Sequence, residues 1–267
     1  MVMGPNEALR DAGYLIVRSL YDQYEVEEMR AAMDRLRDLA SVLLEIKDPD
    51  HPTLPEQRFI RDGSELVVAR TAGVDQIKRV LWAGAAEPEL LSYGRDRRLT
   101  SIVAELLGAN EADHLINQVH FKLPNDGVDD YDWHQDATHR RYGTPEWNLS
   151  AAPRSHAYIQ TLMAIHPHTV ENGPLLVIPG RYGPQQILKG ADDKPQLPPP
   201  WTEQDAVPVL LSPGDVAFFH EYLLHKSHPN TSSSPRYTLI NGFAYPGVNG
   251  RKYPGADAGA GSRIRLR

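Results

Sequence analysis

The residues best suited to chemistry are the run Trp133-His134-Gln135-Asp136 and a second group downstream, Leu223-Leu224-His225-Lys226-Ser227-His228-Pro229-Asn230. On an extended segment, residues i and i+2 face the same way, roughly 6.6 Å apart along the chain. His134 and Asp136 can therefore converge on one cation while Gln135 turns aside. A histidine beyond the apolar run Val216–Phe219 could supply a third ligand. Two imidazoles and one carboxylate make a facial set with open positions, the arrangement expected for non-haem Fe(II) that must take a co-substrate and O2. His220, His225 and His228 compete for the third place, and spacing alone does not choose among them. Arg236 offers a planar fork for a carboxylate.

Composition narrows the field. The 267 residues include no cysteine, which removes disulfide scaffolds, thiolate zinc sites, cysteine nucleophiles and iron–sulfur clusters together. Any metal must sit on nitrogen and oxygen, and 11 histidines are available. An apolar share of 41% is ordinary for a globular chain, and the length suits one large domain or two small ones. No stretch approaches the roughly 18 apolar residues of a membrane span. The N-terminus lacks the basic-then-apolar build of a signal peptide. A formal charge of −7 argues against general nucleic-acid binding. These features lead to the expectation of a soluble, cytoplasmic globular protein without nucleic-acid or membrane partner; a small-molecule substrate is what the resemblance described below implies. Whether it is a monomer or a homodimer stays open.

The elements that must position these residues divide along the chain. Residues 1–133 hold 8 of the 20 glycines and 6 of the 22 prolines, so turn residues crowd the second half. That half reads as strands at Leu115–Lys122, Tyr158–Ile165, Leu175–Ile178, Val207–Leu210, Val216–Phe219 and Tyr237–Phe243, each closed by turn residues. Gln185–Gln204, with three consecutive prolines, reads as an exposed excursion. The first half carries helical period: Val26, Met29, Met33, Leu36 and Leu43 recur at helical spacing between Glu25 and Glu45, and a shorter helix spans Leu99–Leu107, ending at Gly108.

Several ordered motifs together resemble the phytanoyl-CoA dioxygenase (PhyH-like) family of Fe(II)/2-oxoglutarate oxygenases, over nearly the whole chain. They are the opening Asp11-Ala12-Gly13-Tyr14-Leu15-Ile16-Val17, the block Glu171-Asn172-Gly173-Pro174-Leu175-Leu176-Val177-Ile178-Pro179-Gly180, the turn Leu211-Ser212-Pro213-Gly214-Asp215-Val216, and His225-x-Ser227-x-Pro229-Asn230-x-Ser232 followed by Arg236. One departure is Arg181-Tyr182 after Gly180, where the family often has Ser-His. The resemblance implies a mainly β fold with N-terminal α-helices, a double-stranded β-helix (jelly roll, cupin-like). One domain is expected over 1–267: a helix-rich part at 1–110, a jelly-roll core at 111–246, and a flexible tail or flap at 247–267.

The resemblance also places the metal triad on His134, Asp136 and His225, and the 2-oxoglutarate clamp on Arg236 with Ser227 assisting. The implied reaction hydroxylates or otherwise oxidises a C–H bond of a small metabolite with Fe(II), 2-oxoglutarate and O2, releasing succinate and CO2. Asp136 favours hydroxylation over halogenation, because related halogenases carry a small residue there. The alternatives are a cupin-like barrel with isomerase or hydrolase chemistry, or a non-catalytic binding barrel. Around the centre, Gln118, His120 and Lys122 share one strand face. Gln118 and His120 are candidates for the co-substrate or substrate wall, and Lys122 reads as solvated. Gln135, Gln160, Arg140, Arg141 and Trp147 are candidate substrate contacts. Phe218 and Phe219 read as core, and His166 and His168 as surface residues at a strand end.

Overall fold

The computed structural model describes residues 4–46, 56–71, 74–124, 131–137, 156–180, 188–189, 195–248 and 262–267. In chain order the elements are α1 (Pro5–Ala12), β1 (Tyr14–Val17), α2 (Gln23–Ile46), β2 (Glu56–Arg61), β3 (Ser64–Thr71), β4 (Val74–Leu81), α3 (Pro88–Gly94), α4 (Arg97–Leu107), β5 (Glu111–Lys122), β6 (Tyr131–His134) and β7 (Tyr158–Ala164). They continue with β8 (Leu175–Ile178), β9 (Leu188–Lys189), β10 (Pro195–Gln196), β11 (Val207–Val209), β12 (Val216–His220), β13 (Leu224–Ser227), β14 (Arg236–Ala244) and β15 (Ser262–Arg265). No helix among the described residues is long and apolar enough to cross a membrane.

Helix α2 follows its sequence pattern. Val26, Met29, Met33, Leu36, Ala40 and Leu43 are all buried, which is the apolar stripe expected at a 3.6-residue period. Its start is fixed by a reciprocal cap. The Glu25 backbone N–H donates to Asp22 Oδ1 at 2.9 Å, and the Asp22 N–H donates to Glu25 Oε2 at 2.9 Å.

Two antiparallel sheets face each other. The larger has nine strands among the described residues, in the order β1-β12-β7-β14-β5-β4-β3-β2, with β15 also pairing β5. The smaller runs β11-β8-β13-β6. Helices cover the outer face of the large sheet, where Phe121, Met163, Phe218, Tyr237 and Leu239 pack against Met29, Met33 and Leu36 in one core. A second core between the sheets contains Leu162, Leu175, Val177, Phe219 and Ile240. Alternation along the strands assigns each residue to a side. On β12, Val216 and Phe218 go out to the helices while Ala217 and Phe219 go in. This is the two-sheet, helix-backed architecture expected from the sequence.

Two expectations about the chain's ends need correction. The segment before residue 110 is not simply helix-rich, because β2, β3 and β4 extend the large sheet by three antiparallel strands. The β2–β3 hairpin turns on Asp62-Gly63, with φ of 50° and 80°, a two-residue turn that suits the right-handed twist of its strands. Nor is all of 247–267 a tail. Ser262–Arg265 pairs with Glu111–His114, the Leu266 N–H donates to Asn110 O at 2.9 Å, and Leu266 is buried. An apolar anchor plus strand hydrogen bonds holds that end down. Residues 249–261 lie outside the described ones.

The family-like motifs act as structural ties. Gly173 has φ +68°, and a Cβ there would lie 2.0 Å from the His228 carbonyl oxygen, so only glycine lets the two loops touch. The Asn172 side chain donates to Pro167 O and accepts from the Thr169 N–H. Asn230 donates to the carbonyls of Lys122 and Ser234. Asp215 accepts from the backbone of Ser19 and Ser212 and pairs with Arg18. Each motif therefore fixes a corner around the space between the sheets.

Candidate active site

His134 ends β6, and His225 lies opposite it on β13 as its cross-strand partner. Asp136 follows two residues after the strand stops. One ligating atom from each of His134, Asp136 and His225 lies within 4.8 Å of the others, and the two imidazole rings are 4.1 Å apart between centroids. His225 and Asp136 are buried, while His134 is half-buried.

Backbone carbonyls fix both imidazole tautomers. His134 Nδ1 lies 2.7 Å from Asp132 O, and His225 Nδ1 lies 2.9 Å from Leu223 O. A carbonyl oxygen only accepts, so each Nδ1 carries the proton and each Nε2 keeps its lone pair. This is the second-layer arrangement that orients imidazoles for a metal. Two neutral imidazoles and a carboxylate, with no sulfur donor, suit a divalent ion such as Fe(II).

Strand side separates the candidates for the third position. His220 ends β12 on the outer parity, stacked on His156 at 4.1 Å and 13°. Those two histidines and Glu221 form a second close group, but it is a poor chelate. Face-to-face rings do not direct their in-plane lone pairs at a common point. His220 Nδ1 also accepts from the Tyr222 N–H at 3.0 Å, which puts the ring proton on Nε2. Burial keeps both rings neutral, pushing His156 down to about 4 and His220 well below the ordinary imidazole range. The backbone carbonyl of His228 accepts from Lys122 Nζ, and its ring is not among the lining residues of the cavity.

The triad opens into a cavity of about 270 Å³ between the sheets. Arg236 also lines it; the residue is 4% exposed, and Nη1 donates to Thr238 Oγ1 at 3.2 Å. Lys122 is the cross-strand partner of Arg236 and only 1% exposed, contrary to the expectation of a solvated lysine. Its ammonium donates to Ser227 Oγ at 2.8 Å and to the His228 carbonyl. Ser227 at the end of β13 and the residue after it supply the acceptors, so burial is tolerated. Arg79, Lys122, Lys226 and Arg236 face one carboxylate, Asp136, among the described lining residues. Arg79 is paired with Glu56 and Lys226 with Glu203, so Lys122 and Arg236 are the cations that favour an anion there although the chain as a whole is acidic.

The remaining candidates divide. Gln118, His120 and Gln160 line the cavity. The Gln118 amide donates to His120 Nε2 at 2.9 Å, and the Tyr158 hydroxyl donates to Gln160 Oε1 at 2.7 Å. Gln135 is fully buried away from the cavity. Its amide donates to Tyr222 O at 2.7 Å, tying the metal motif to the turn before β13 rather than reaching for substrate. Arg140, Arg141 and Trp147 lie outside the described residues. Phe219 lines the cavity and packs edge-on against His225 at 5.1 Å, so it is more than core. His168 is 2% exposed, not a surface residue. The chain after β7 turns inward there, and its N–H donates to Leu211 O at 2.8 Å.

Sequence reasoning also missed Arg79, Tyr131 and Thr238, all in the lining. Thr238 was detectable as the residue two after Arg236 on the same strand face. Arg79 was not, because β4 was not read as a strand.

Comparisons with known proteins agree with this architecture. Dioxygenase lolE1 of Epichloe uncinata is 30% identical over 89 residues, a stretch covering 33% of this chain and 34% of lolE1. The structure of EvdO2 from Micromonospora carbonacea var. aurantiaca, complexed with 2-oxoglutarate, superposes with a TM-score of 0.63 at 21% identity, covering 90% of this chain and 89% of EvdO2. EctD from S. alaskensis with bound Fe superposes with a TM-score of 0.62 at 19% identity, covering 89% and 74%. At these identities the two structures speak for a shared fold. The family model "Phytanoyl-CoA dioxygenase (PhyH)" matches residues 9–238, most of the chain and every residue in the cavity lining except Ile240. With that match, the chain belongs to the phytanoyl-CoA dioxygenase (PhyH) family.

Proposed function

We propose that this protein is a non-haem Fe(II)- and 2-oxoglutarate-dependent dioxygenase that oxidises a C–H bond of a small-molecule metabolite. The observation that carries this reading is the juxtaposition of two sites in one cavity. A His134–Asp136–His225 group and the buried cations Arg236 and Lys122 line the same cavity. EvdO2 crystallised with 2-oxoglutarate and EctD with Fe, each on this fold, support the choice of metal and co-substrate. The reading extends to a single domain in the cytoplasm. Strands β1 and β15, from opposite ends of the chain, join the same sheet and support the single domain.

The roles follow from the geometry. His134, Asp136 and His225 would hold the metal, with the imidazoles turned by their carbonyl partners. Arg236 would pair with the remote carboxylate of 2-oxoglutarate, and Lys122 would add a second positive charge beside it. Ser227 accepts from Lys122 and lines the same wall, so its own hydroxyl proton can be offered to the co-substrate. Gln118 and His120 fill the wall on β5. Gln160 has its carbonyl end occupied by Tyr158, which leaves its amide N–H groups as the donors available for a substrate. Leu162, Leu175, Phe219 and Ile240 form an apolar surface that limits water near the metal. When Fe(II), 2-oxoglutarate and O2 are bound, the chemistry supplied is decarboxylation of the 2-oxo acid to succinate and CO2, coupled to oxidation of the substrate C–H bond.

Oxygen-dependent succinate formation from 2-oxoglutarate, stimulated by members of a metabolite panel, tests the reading. Activity lost in His134→Ala and Asp136→Ala supports it. A metal-dependent isomerisation or hydrolysis that ignores 2-oxoglutarate would replace it with cupin-like non-oxygenase chemistry. Ligand binding without any turnover would make the chain a binding barrel.

A further inference from the structure

We infer that His168 is a positioning residue for the co-substrate: it sets the Thr238 hydroxyl and, through it, the guanidinium of Arg236. This rests on reading Arg236 as the carboxylate partner of 2-oxoglutarate. His168 is nearly fully buried, and its Nε2 lies 3.2 Å from Thr238 Oγ1. Arg236 Nη1 reaches the same oxygen at 3.2 Å.

Proton bookkeeping on that oxygen gives the direction. Arginine carries donors only, so Oγ1 accepts on the Arg236 side. Its single proton then needs an acceptor elsewhere, and His168 Nε2 is in place to be one. Burial first, and then the nearby charges of Arg236 and Lys122, hold the imidazole well below its ordinary pKa, so the ring is neutral. A neutral ring that accepts at Nε2 carries its proton on Nδ1, which is buried with no hydrogen-bond partner. The fold therefore keeps a polar ring at a cost in stability, in contact with the clamp. The ring is fixed from its backbone: the His168 N–H is bound to Leu211 O, and Asn172 ties both neighbours, Pro167 and Thr169. A rigid acceptor, a hydroxyl with one remaining direction and a buried guanidinium form a relay whose far end faces the cavity.

The test uses the whole chain loaded with Mn(II), and calorimetry reads both the metal affinity and the dissociation constant of 2-oxoglutarate. His168→Phe keeps a ring without an acceptor, Thr238→Val removes the hydroxyl at equal shape, and His168→Gln keeps a polar acceptor. The relay predicts that His168→Phe and Thr238→Val each weaken 2-oxoglutarate about tenfold, the scale of one hydrogen bond to a charged group. Metal affinity and the apo melting temperature should not fall in parallel. The double variant should be no weaker than either single one, and His168→Gln should recover most of the affinity. A purely structural histidine would lower the melting temperature and leave the dissociation constant alone. Wild-type affinity in Thr238→Val overturns the relay even if His168→Phe does not fold, and additive losses in the double variant also overturn it. If the wild type loaded with metal binds no 2-oxoglutarate at all, it is the assignment of Arg236 that fails. If the wild type binds and Arg236→Ala does not, while His168→Phe and Thr238→Val bind normally, only the relay fails.

Discussion

Replacing Arg236 with methionine should raise the stability of the empty protein while abolishing co-substrate binding. Arg236 and Lys122 are cross-strand partners on β14 and β5, 4% and 1% exposed. Like charges directly opposite on a sheet oppose folding. At an effective dielectric of about 20, any two like charges about 6 Å apart repel by roughly 3 kcal/mol, which sets the scale for such a pair. Methionine fills a similar volume, removes that repulsion and removes the desolvation of the guanidinium. Against this stand the guanidinium's own contacts, among them the hydrogen bond to Thr238 at 3.2 Å, worth about 1 kcal/mol. The net expectation is a gain of about 1–2 kcal/mol, or roughly 2–6 °C in melting temperature for a chain of this size. Saturating 2-oxoglutarate with Mn(II) reverses the order. At a hundred times its dissociation constant, a ligand stabilises the wild type by about 2.7 kcal/mol, and Arg236→Met should gain almost none. Thermal melts of both proteins, with and without metal and 2-oxoglutarate, read this crossing directly. An apo Arg236→Met protein that melts well below wild type would refute the argument that these cations are kept for binding. So would an undiminished response to 2-oxoglutarate.

Three further outcomes follow from the same geometry. Asp136→Ala should lose metal affinity by at least tenfold in equilibrium dialysis while its far-ultraviolet circular dichroism stays unchanged, because the carboxylate supplies one ligand and no strand pairing. Gly173→Ala should cost several kcal/mol in urea unfolding: a positive φ costs an L-residue roughly 1–2 kcal/mol, and the added Cβ would also press on the His228 carbonyl. Acid should destabilise the protein from about pH 6.5 downward. His156 is held neutral by burial at about 4, so the unfolded chain binds the extra proton first; stability is full above the unfolded value and is lost as pH falls toward 4. That one group accounts for at most about 3 kcal/mol, and His156→Leu should flatten this part of the pH–stability curve.

The sequence revealed the metal group better than its surroundings, for physical reasons. His134 and Asp136 were legible because a two-residue spacing on a strand end dictates a shared direction. His225 could not be separated from His220 and His228 by spacing, since the answer depends on which side of β12 and β13 each residue takes. Lys122 and His168 were misjudged for a common reason. A charged or polar residue at a strand end is normally solvated, and only the second sheet and the loop after β7, folding over them, bury these two. Strands β2 to β4 were missed although Asp62-Gly63 is a readable hairpin turn, because Arg, Glu, Asp and Lys interleave their apolar positions. The motifs that carried the family likeness, Asn172-Gly173, Asp215 and Asn230, are structural ties at loop contacts. They identify the scaffold, while Gln160 and its apolar neighbours line the cavity.

The central claim is tested most directly by anaerobic visible absorption of the protein given Fe(II) and 2-oxoglutarate. A weak visible band that requires both additions is the predicted result, lost in His225→Ala and shifted to far higher 2-oxoglutarate in Arg236→Ala. An absorption spectrum that 2-oxoglutarate leaves unchanged, in protein shown to hold stoichiometric iron, would contradict the account.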